Sequence, residues 1–382
     1  MKPFDVYPLF DIEPVKAQNC WIWDKEGKKY LDFYGGHAVI SIGHTHPHYV
    51  KKIEEQLEKI AFYSNSVKIR QQEELSQKLG ELSGYNDYHL FLCNSGAEAN
   101  ENALKLSSFH TGRKKIIAFE KSFHGRTSLA VAATNDTSIQ AAVNTTHDII
   151  FLPLNDIGAF HEIPLHDVCA VIIEGIQGVA GIQTPTDEFL RSIRRKCDET
   201  GALLILDEVQ SGYGRTGMFF AHQFANIRPD IITVAKGMGN GFPVAGVLIA
   251  PHIKAKHGML GTTFGGGYLA CAAAIAVLDV IKEERLIGNA TNMGDYLMEE
   301  IKKMDGVKEV RGKGLMIGVE MHFNASALRN DLVFKHQIFT GSASNKNTVR
   351  LLPPLTITLA EADHFLKGFA LALQPYLQSV SQ

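Results

Sequence analysis

The sequence predicts an α/β protein: a large domain built on a mostly parallel sheet, followed by a smaller α+β domain. Two observations carry this. Short runs rich in Ile, Val and Leu recur between residues 89 and 250, separated by helical patterns and lacking polar alternation, so those strands are buried on both faces of a helix-covered sheet. The length, 382 residues, also exceeds the size at which one core usually stops growing, which favours two domains or three.

In chain order the runs are His89 to Cys93, Lys115 to Phe119, Asp148 to Leu152, Val171 to Ile173, Leu203 to Leu206, Ile231 to Val234 and Val244 to Ala250. One connecting helix is well marked. Asp187 can cap it, Phe189, Leu190, Ile193 and Cys197 fall on one side, and Gly201 stands where the chain must turn back. After residue 280 the pattern changes to a glycine-punctuated strand (Val310 to Met321), a proline-bearing strand (Val349 to Thr358) and a final helix. That helix opens on a capping box, Thr358 to Glu361, and offers Phe365, Leu366, Phe369 and Leu373 for burial. The first 45 residues have no parallel-strand character and are expected to pack with the smaller domain. The expected division is therefore 1–45, 46–280 and 281–382.

Composition excludes several classes. A net charge of −3 shows no basic skew, so nucleic acid is not an expected partner. Five cysteines, odd in number and without C-x-x-C, argue against a disulfide framework or a zinc site and for a reducing compartment. The start of the sequence has no apolar segment of signal-peptide type, and the longest apolar stretch, Leu269 to Leu278, is far too short for a membrane span. A soluble cytoplasmic protein is expected. The run His44, His46, His48 alternates like metal ligands, but Pro47 disturbs the geometry and no Cys or acid completes a site, so no metal is expected.

In open α/β sheets ligands bind at the carboxyl ends of the strands, so polar residues just past buried strands come first. His89 to Cys93 runs into a helix opened by Ser95, Gly96 and Ala97, whose small size lets backbone N–H groups meet an anion at the helix's positive end. A plain capped strand-to-helix turn explains the same residues. Leu203 to Leu206 ends in Asp207, a carboxylate in a poorly hydrated place that needs a cation. The candidates are an internal Arg or Lys and a protonated ring nitrogen on a cofactor. Ile231 to Ala235 delivers Lys236 ahead of a glycine-rich turn, and a desolvated lysine is a nucleophile toward an aldehyde. An anion cradle, an acid for a pyridinium and an amine for an aldehyde together describe pyridoxal phosphate. The chain lacks both the P-loop and the dinucleotide glycine fingerprint.

Five segments resemble, in order, the class III aminotransferases of pyridoxal-phosphate fold type I: N-S-G-A-E-A-N-E (94 to 101), S-F-H-G-R (122 to 126), L-D-E-V-Q-S-G-Y-G-R-T-G (206 to 217), A-K-G-M-G-N-G-F-P (235 to 243) and T-T-F-G-G (262 to 266). The nearest look-alikes act on acetylornithine and succinylornithine in arginine metabolism, and the similarity runs from about residue 10 to the C-terminus. The resemblance implies that Lys236 holds the cofactor and shuttles a proton, and that Asp207 keeps the pyridine nitrogen protonated. It places Phe123 and Val209 on the two faces of the ring and Gln210 near the ring hydroxyl; core packing is the alternative for all three. It gives Gly96 and Ala97, with Ser95, to the phosphate. It implies that Thr263 reaches the phosphate of a neighbouring subunit, hence a homodimer with shared sites. Substrate contacts fall to Thr262, to Arg126 for the acylornithine α-carboxylate and to Arg350 for the carboxylate of 2-oxoglutarate or glutamate, arginine being the residue that grips carboxylates bidentately. Glu208 is either a helix-facing or ion-paired acid or part of the family's D-E pair.

The chain departs from the family at Glu174 to Gly181, E-G-I-Q-G-V-A-G, where Gly175 replaces a usual proline and Val179 a glutamate that in relatives can neutralise the arginine matching Arg350. With valine there, that arginine stays available to an anion in both half-reactions, which suits a substrate whose acyl group carries its own carboxylate. His37 replaces a usual aliphatic residue near the substrate mouth. The expected activity is transfer of the terminal amine of an N-acetyl- or N-succinylornithine to 2-oxoglutarate, giving glutamate and a semialdehyde. The rivals are an ornithine or 4-aminobutyrate aminotransferase, a decarboxylase, mutase or racemase of the same fold, and a non-catalytic cofactor-binding regulator.

Overall fold

Seven strands make the central sheet of the computed structural model, which describes residues 1–377. In spatial order they are His89–Cys93, Ala245–Ile249, Ile231–Val234, Leu203–Asp207, Val168–Glu174, Lys115–Phe119 and Ile149–Leu152. The last five are mutually parallel, and Ala245–Ile249 alone runs antiparallel to both its neighbours. Every residue of Val168–Glu174 and Leu203–Asp207 is buried, which is why neither strand alternates with polar residues. Val168–Glu174 is longer than its apolar run Val171 to Ile173, because Val168, Cys169 and Ala170 before the run and Glu174 after it are buried in the same strand.

The helix Asp187–Thr200 lies where its apolar spacing places it, with Phe189, Leu190, Ile193 and Cys197 packed on Phe119, Val171 and Leu204. Its cap differs from the expectation. Thr186, not Asp187, is the N-cap: the hydroxyl accepts from the Phe189 N–H at 3.1 Å, and Asp187 takes the first helical position, where its charge meets the positive end of the helix dipole. On the opposite face of the sheet, Gly96–Thr111 buries Ala99, Ala103 and Leu104.

Beyond the long buried helix Tyr268–Glu283, the glycine-punctuated strand proves to be two strands. Val307–Lys313 and Met316–Met321 pair antiparallel, so the glycines mark a hairpin turn rather than an interrupted strand. The proline-bearing strand covers only Thr348–Leu351, since Pro353 and Pro354 have no N–H to give a ladder. The capping box forms as its sequence dictates: the Thr358 N–H donates to Glu361 at 2.9 Å and the Glu361 N–H to Thr358 Oγ1 at 3.4 Å. At the N-terminus, Pro14–Gln18, Trp21–Asp24 and Lys29–Asp32 form an antiparallel meander. Its last strand takes Ile338–Phe339 as a parallel neighbour, contrary to the expectation that this segment has no parallel strand. Phe33 stacks on Phe365 of the final helix at 4.0 Å, so the N-terminal segment shares the core of residues 310 to 373.

Arg215 ties these parts together. Its buried guanidinium donates to the carbonyls of Leu315 (3.0 Å), Pro353 (2.8 Å) and Ile40 (3.5 Å). Among the described residues no helix is long and apolar enough to cross a membrane.

Candidate active site

A cavity of about 390 Å³ opens where the parallel strands reach their carboxyl ends, within the size range of small-molecule sites. Nine of the twelve cofactor, substrate and catalytic candidates read from the sequence line it: Ser95, Gly96, Ala97, Phe123, Arg126, Asp207, Val209, Gln210 and Lys236. Three do not. Thr262 stands off the wall, its Oγ1 accepting from the lining residue Asn94 at 3.1 Å. Thr263 is exposed and lies outside this cavity of its own chain. Arg350 is set behind Gln210, whose Oε1 is 3.4 Å from Nη1 of the arginine.

The floor is built by the sheet register. Glu174 pairs with Asp207 and Asp207 with Thr233, so three neighbouring strands end level. Asp207 is 4% exposed and meets three donors: Asn100 Nδ2 at 2.7 Å, His124 Nδ1 at 2.8 Å and the Val209 N–H at 3.0 Å. Asn100 is itself oriented, since its Oδ1 accepts from Thr233 at 2.7 Å. Neither internal Arg nor Lys pairs with Asp207 among the described residues; His124 alone could bring a positive charge, and its Nε2 is buried with no partner. Such convergence of donors suits a carboxylate, and the carboxylate leaves the cavity floor suited to a cationic ring nitrogen.

Lys236 follows Ile231–Val234 in a left-handed backbone, φ 47°, which turns the chain into the glycine-rich segment. Burial pulls its amine below the ordinary lysine range, opposed by Asp207 and Glu174. A lowered amine keeps more of its neutral, nucleophilic form near neutral pH. In the same cavity, Ser95 caps the helix Gly96–Thr111 by accepting from the Glu98 N–H at 3.2 Å, leaving the first N–H groups of Gly96 and Ala97 free for an anion. A Cβ on Gly96 would lie 2.7 Å from Val209 Cγ1, so only glycine lets the helix start descend to this wall.

Glu208 turns away from the cavity into the core, where it accepts from Ser211, from the Ala221 and His222 N–H groups and from His222 Nδ1 at 2.7 Å. Its partners are thus hydrogen-bond donors in the core and none of them lines the cavity. His44, His46 and His48 face three separate carboxylates, Asp32, Glu284 and Asp279.

Sequence reasoning missed His124, Asn100 and Glu174 as site residues. Asn100 lies one helical turn past Gly96 and thus on the same face, a signal that was readable. Glu174 accepts from the Phe123 N–H and the Gly178 N–H, both at 3.0 Å, and burial pushes its carboxyl up to about 7, with Asp207 reinforcing and His124 opposing. The folded chain thus binds this proton more tightly than the unfolded chain does. Stability therefore falls as pH climbs from the ordinary carboxyl range to about 7, because the unfolded state loses the proton first. Glu174→Gln removes this dependence. Its Tm relative to wild type is expected to be more favourable at about pH 8 than at about pH 5, read by calorimetry at both; an unchanged difference would refute the assignment.

The comparisons point the same way as the geometry. Residues 5–373 match the family model for class-III aminotransferases. An acetylornithine aminotransferase of Nitrosomonas europaea is 36% identical over 389 residues, covering 98% of each chain. The crystal structure of an acetylornithine aminotransferase from Elizabethkingia anophelis aligns with TM-score 0.84 and 30% identity over 98% of this chain and 96% of that one. A structure of the Toxoplasma gondii ornithine aminotransferase, described with pyridoxal phosphate partly occupying its active site, aligns at TM-score 0.90 and 26% identity over 98% and 93%. With a desolvated amine and a buried acid lining one cavity at the ends of a fold-type I sheet, and with sequence likeness across its whole length, this chain belongs to the class-III aminotransferases.

Proposed function

We propose that the chain binds pyridoxal phosphate and transfers the terminal amine of an N-acylated ornithine to 2-oxoglutarate in arginine biosynthesis, giving a semialdehyde and glutamate. The observation that carries this is the shared cavity of Lys236 and Asp207, which a helix N-terminus also lines. The residues fit the group: an amine for its aldehyde, an acid for its ring nitrogen, free N–H groups of Gly96 and Ala97 beside Ser95 for its phosphate, and Phe123 and Val209 in the same lining for its ring. When bound, the cofactor supplies an electron sink that makes the hydrogen on the substrate's amine-bearing carbon acidic.

The protein does the rest. Nζ of Lys236, made less basic by desolvation, takes that proton and returns one later in the cycle. Asp207, fixed by Asn100 and His124, stabilises positive charge on the ring nitrogen and does not move. Arg126, exposed at the cavity mouth with its guanidinium 5.8 Å from the Phe123 ring centre, receives the α-carboxylate of the acylornithine. Arg350 receives a carboxylate of 2-oxoglutarate, and Thr262 lies near the substrate. Thr263 serves the phosphate of a neighbouring copy, which makes a homodimer the working unit.

A panel of amine donors with 2-oxoglutarate tests the reading. The acylornithines are expected to form glutamate at least about tenfold faster, as kcat/KM, than ornithine or 4-aminobutyrate. Failure of both acylornithines would refute it. The same panel reads the acyl group: Val179 favours succinylornithine over acetylornithine, and the reverse order would overturn that hypothesis.

A further inference from the structure

Glu174 and Asp207 put two acids on one cavity floor. They pair in register on neighbouring parallel strands, so both side chains leave the sheet on the same face from strands about 4.8 Å apart, and both line the cavity. Like charges that close in a buried place oppose each other's ionisation. Their partners divide the roles. Asp207 meets three donors, one of them the imidazole of His124, whereas Glu174, 6% exposed, has only the backbone N–H groups of Phe123 and Gly178 at 3.0 Å. Among the described residues Glu174 forms no ion pair.

Charged and titratable groups face Glu174 from four directions. Asp207 lies on the strand beside it and His124 on the segment beyond Lys115–Phe119; Lys236 follows Ile231–Val234, and Arg350 stands on Thr348–Leu351. Glu208, next to Asp207 in sequence, is turned to its own donors Ser211 and His222. Three donors make Asp207 the member that carries charge, and two neutral amides leave Glu174 the member that keeps a proton. Burial, which pushes Glu174 up to about 7, agrees with that division. Lys236 feels the result: burial pulls its amine down, and Asp207, then an ionised Glu174, oppose that pull.

We propose that Glu174 is a positioning residue that matches charge at Lys236: it keeps its proton while the lysine nitrogen is neutral and releases it to solvent when that nitrogen becomes cationic. The bond that breaks is the Glu174 O–H; the proton passes to water in the cavity, and the carboxylate remains on the two N–H groups already aimed at it. Nothing in the wall has to move. The amine thus meets a neutral neighbour before it takes the substrate's proton and an anionic one after, which favours each state in turn. This rests on the transaminase reading for the role of Lys236, not for the pairing of the two acids.

The test uses the holoenzyme with two variants, Glu174→Gln, which keeps the volume and cannot ionise, and Glu174→Asp, which keeps the acid. Absorbance of the bound cofactor, followed from about pH 5 to about pH 9, reports protonation of the nitrogen that Lys236 supplies. In Glu174→Gln the midpoint is expected to fall by about one pH unit and the transition to narrow, because two coupled sites become one. Glu174→Asp is expected to stay within about 0.3 of the wild-type midpoint. Infrared difference spectra of the full chain read the acid itself, without turnover. The wild type is expected to show a protonated-carboxyl band that disappears at about pH 7, and Glu174→Gln to lack it. An unshifted midpoint in Glu174→Gln, the same shift in both variants, or no such band in the wild type would each overturn the proposal. If no acylornithine is turned over while both readouts behave as described, the substrate reading fails and the pair stands.

Discussion

Lys236→Ala is expected to abolish transamination, a loss of about 10⁴-fold or more, because one amine serves both as the attachment for the cofactor and as the proton carrier. The fold is expected to survive. Lys236 sits at φ 47°, but alanine shares its Cβ, so the left-handed backbone costs the variant no more than it costs the wild type. Removing a desolvated amine also leaves no new buried charge behind. Glutamate formation, circular dichroism and retention of the cofactor after gel filtration check the three parts. A variant that keeps even about a hundredth of wild-type turnover would refute the assignment.

Asp207→Asn is the second large effect. An amide preserves the volume but not the charge, and stabilisation of a positive ring nitrogen goes with it; kcat/KM is expected to drop by about 10²- to 10³-fold. The substitution also disturbs the donors around it. Asn100 Nδ2 and His124 Nδ1 both face one oxygen, Oδ2, so an NH2 group at that position would confront two N–H groups. The bare Nε2 of His124 gives the imidazole an escape, because its proton can move there and leave Nδ1 as an acceptor. The stability loss is therefore expected to stay near 1–3 kcal/mol, measured by denaturant unfolding. A variant with wild-type kcat/KM would mean that no cation opposes residue 207.

Asp207 and Lys236 were legible in the sequence for a simple reason: each is a charged residue delivered by an apolar strand with no surface to hide on. The strand set was legible for the same reason, since burial on both faces erases polar alternation. What escaped depends on neighbours in space. Glu174 is a site residue because its strand lies in register with Leu203–Asp207, and no local pattern reports register. Asn100 and His124 matter through the one carboxylate oxygen they share. Arg350 was read through resemblance as a carboxylate ligand, whereas its contact with Gln210 follows from the path of His37 and Gly178 around that amide. Thr186 and Asp187 are both good caps, and one residue of offset decided between them. The hairpin hidden in Val307–Met321 was lost because glycine at a turn and glycine within a strand look alike in sequence.

The level ending of Val168–Glu174, Leu203–Asp207 and Ile231–Val234 makes the sheet a ruler. A residue inserted into Val168–Glu174 or Leu203–Asp207 would turn its terminal acid toward the opposite face, and one inserted into Ile231–Val234 would displace Lys236 just beyond it. Insertions and exchanges in the segments beyond the ends, such as those holding His37 and Val179, leave the ruler untouched. Preference among amine donors can thus drift through evolution while the reacting pair stays at fixed height.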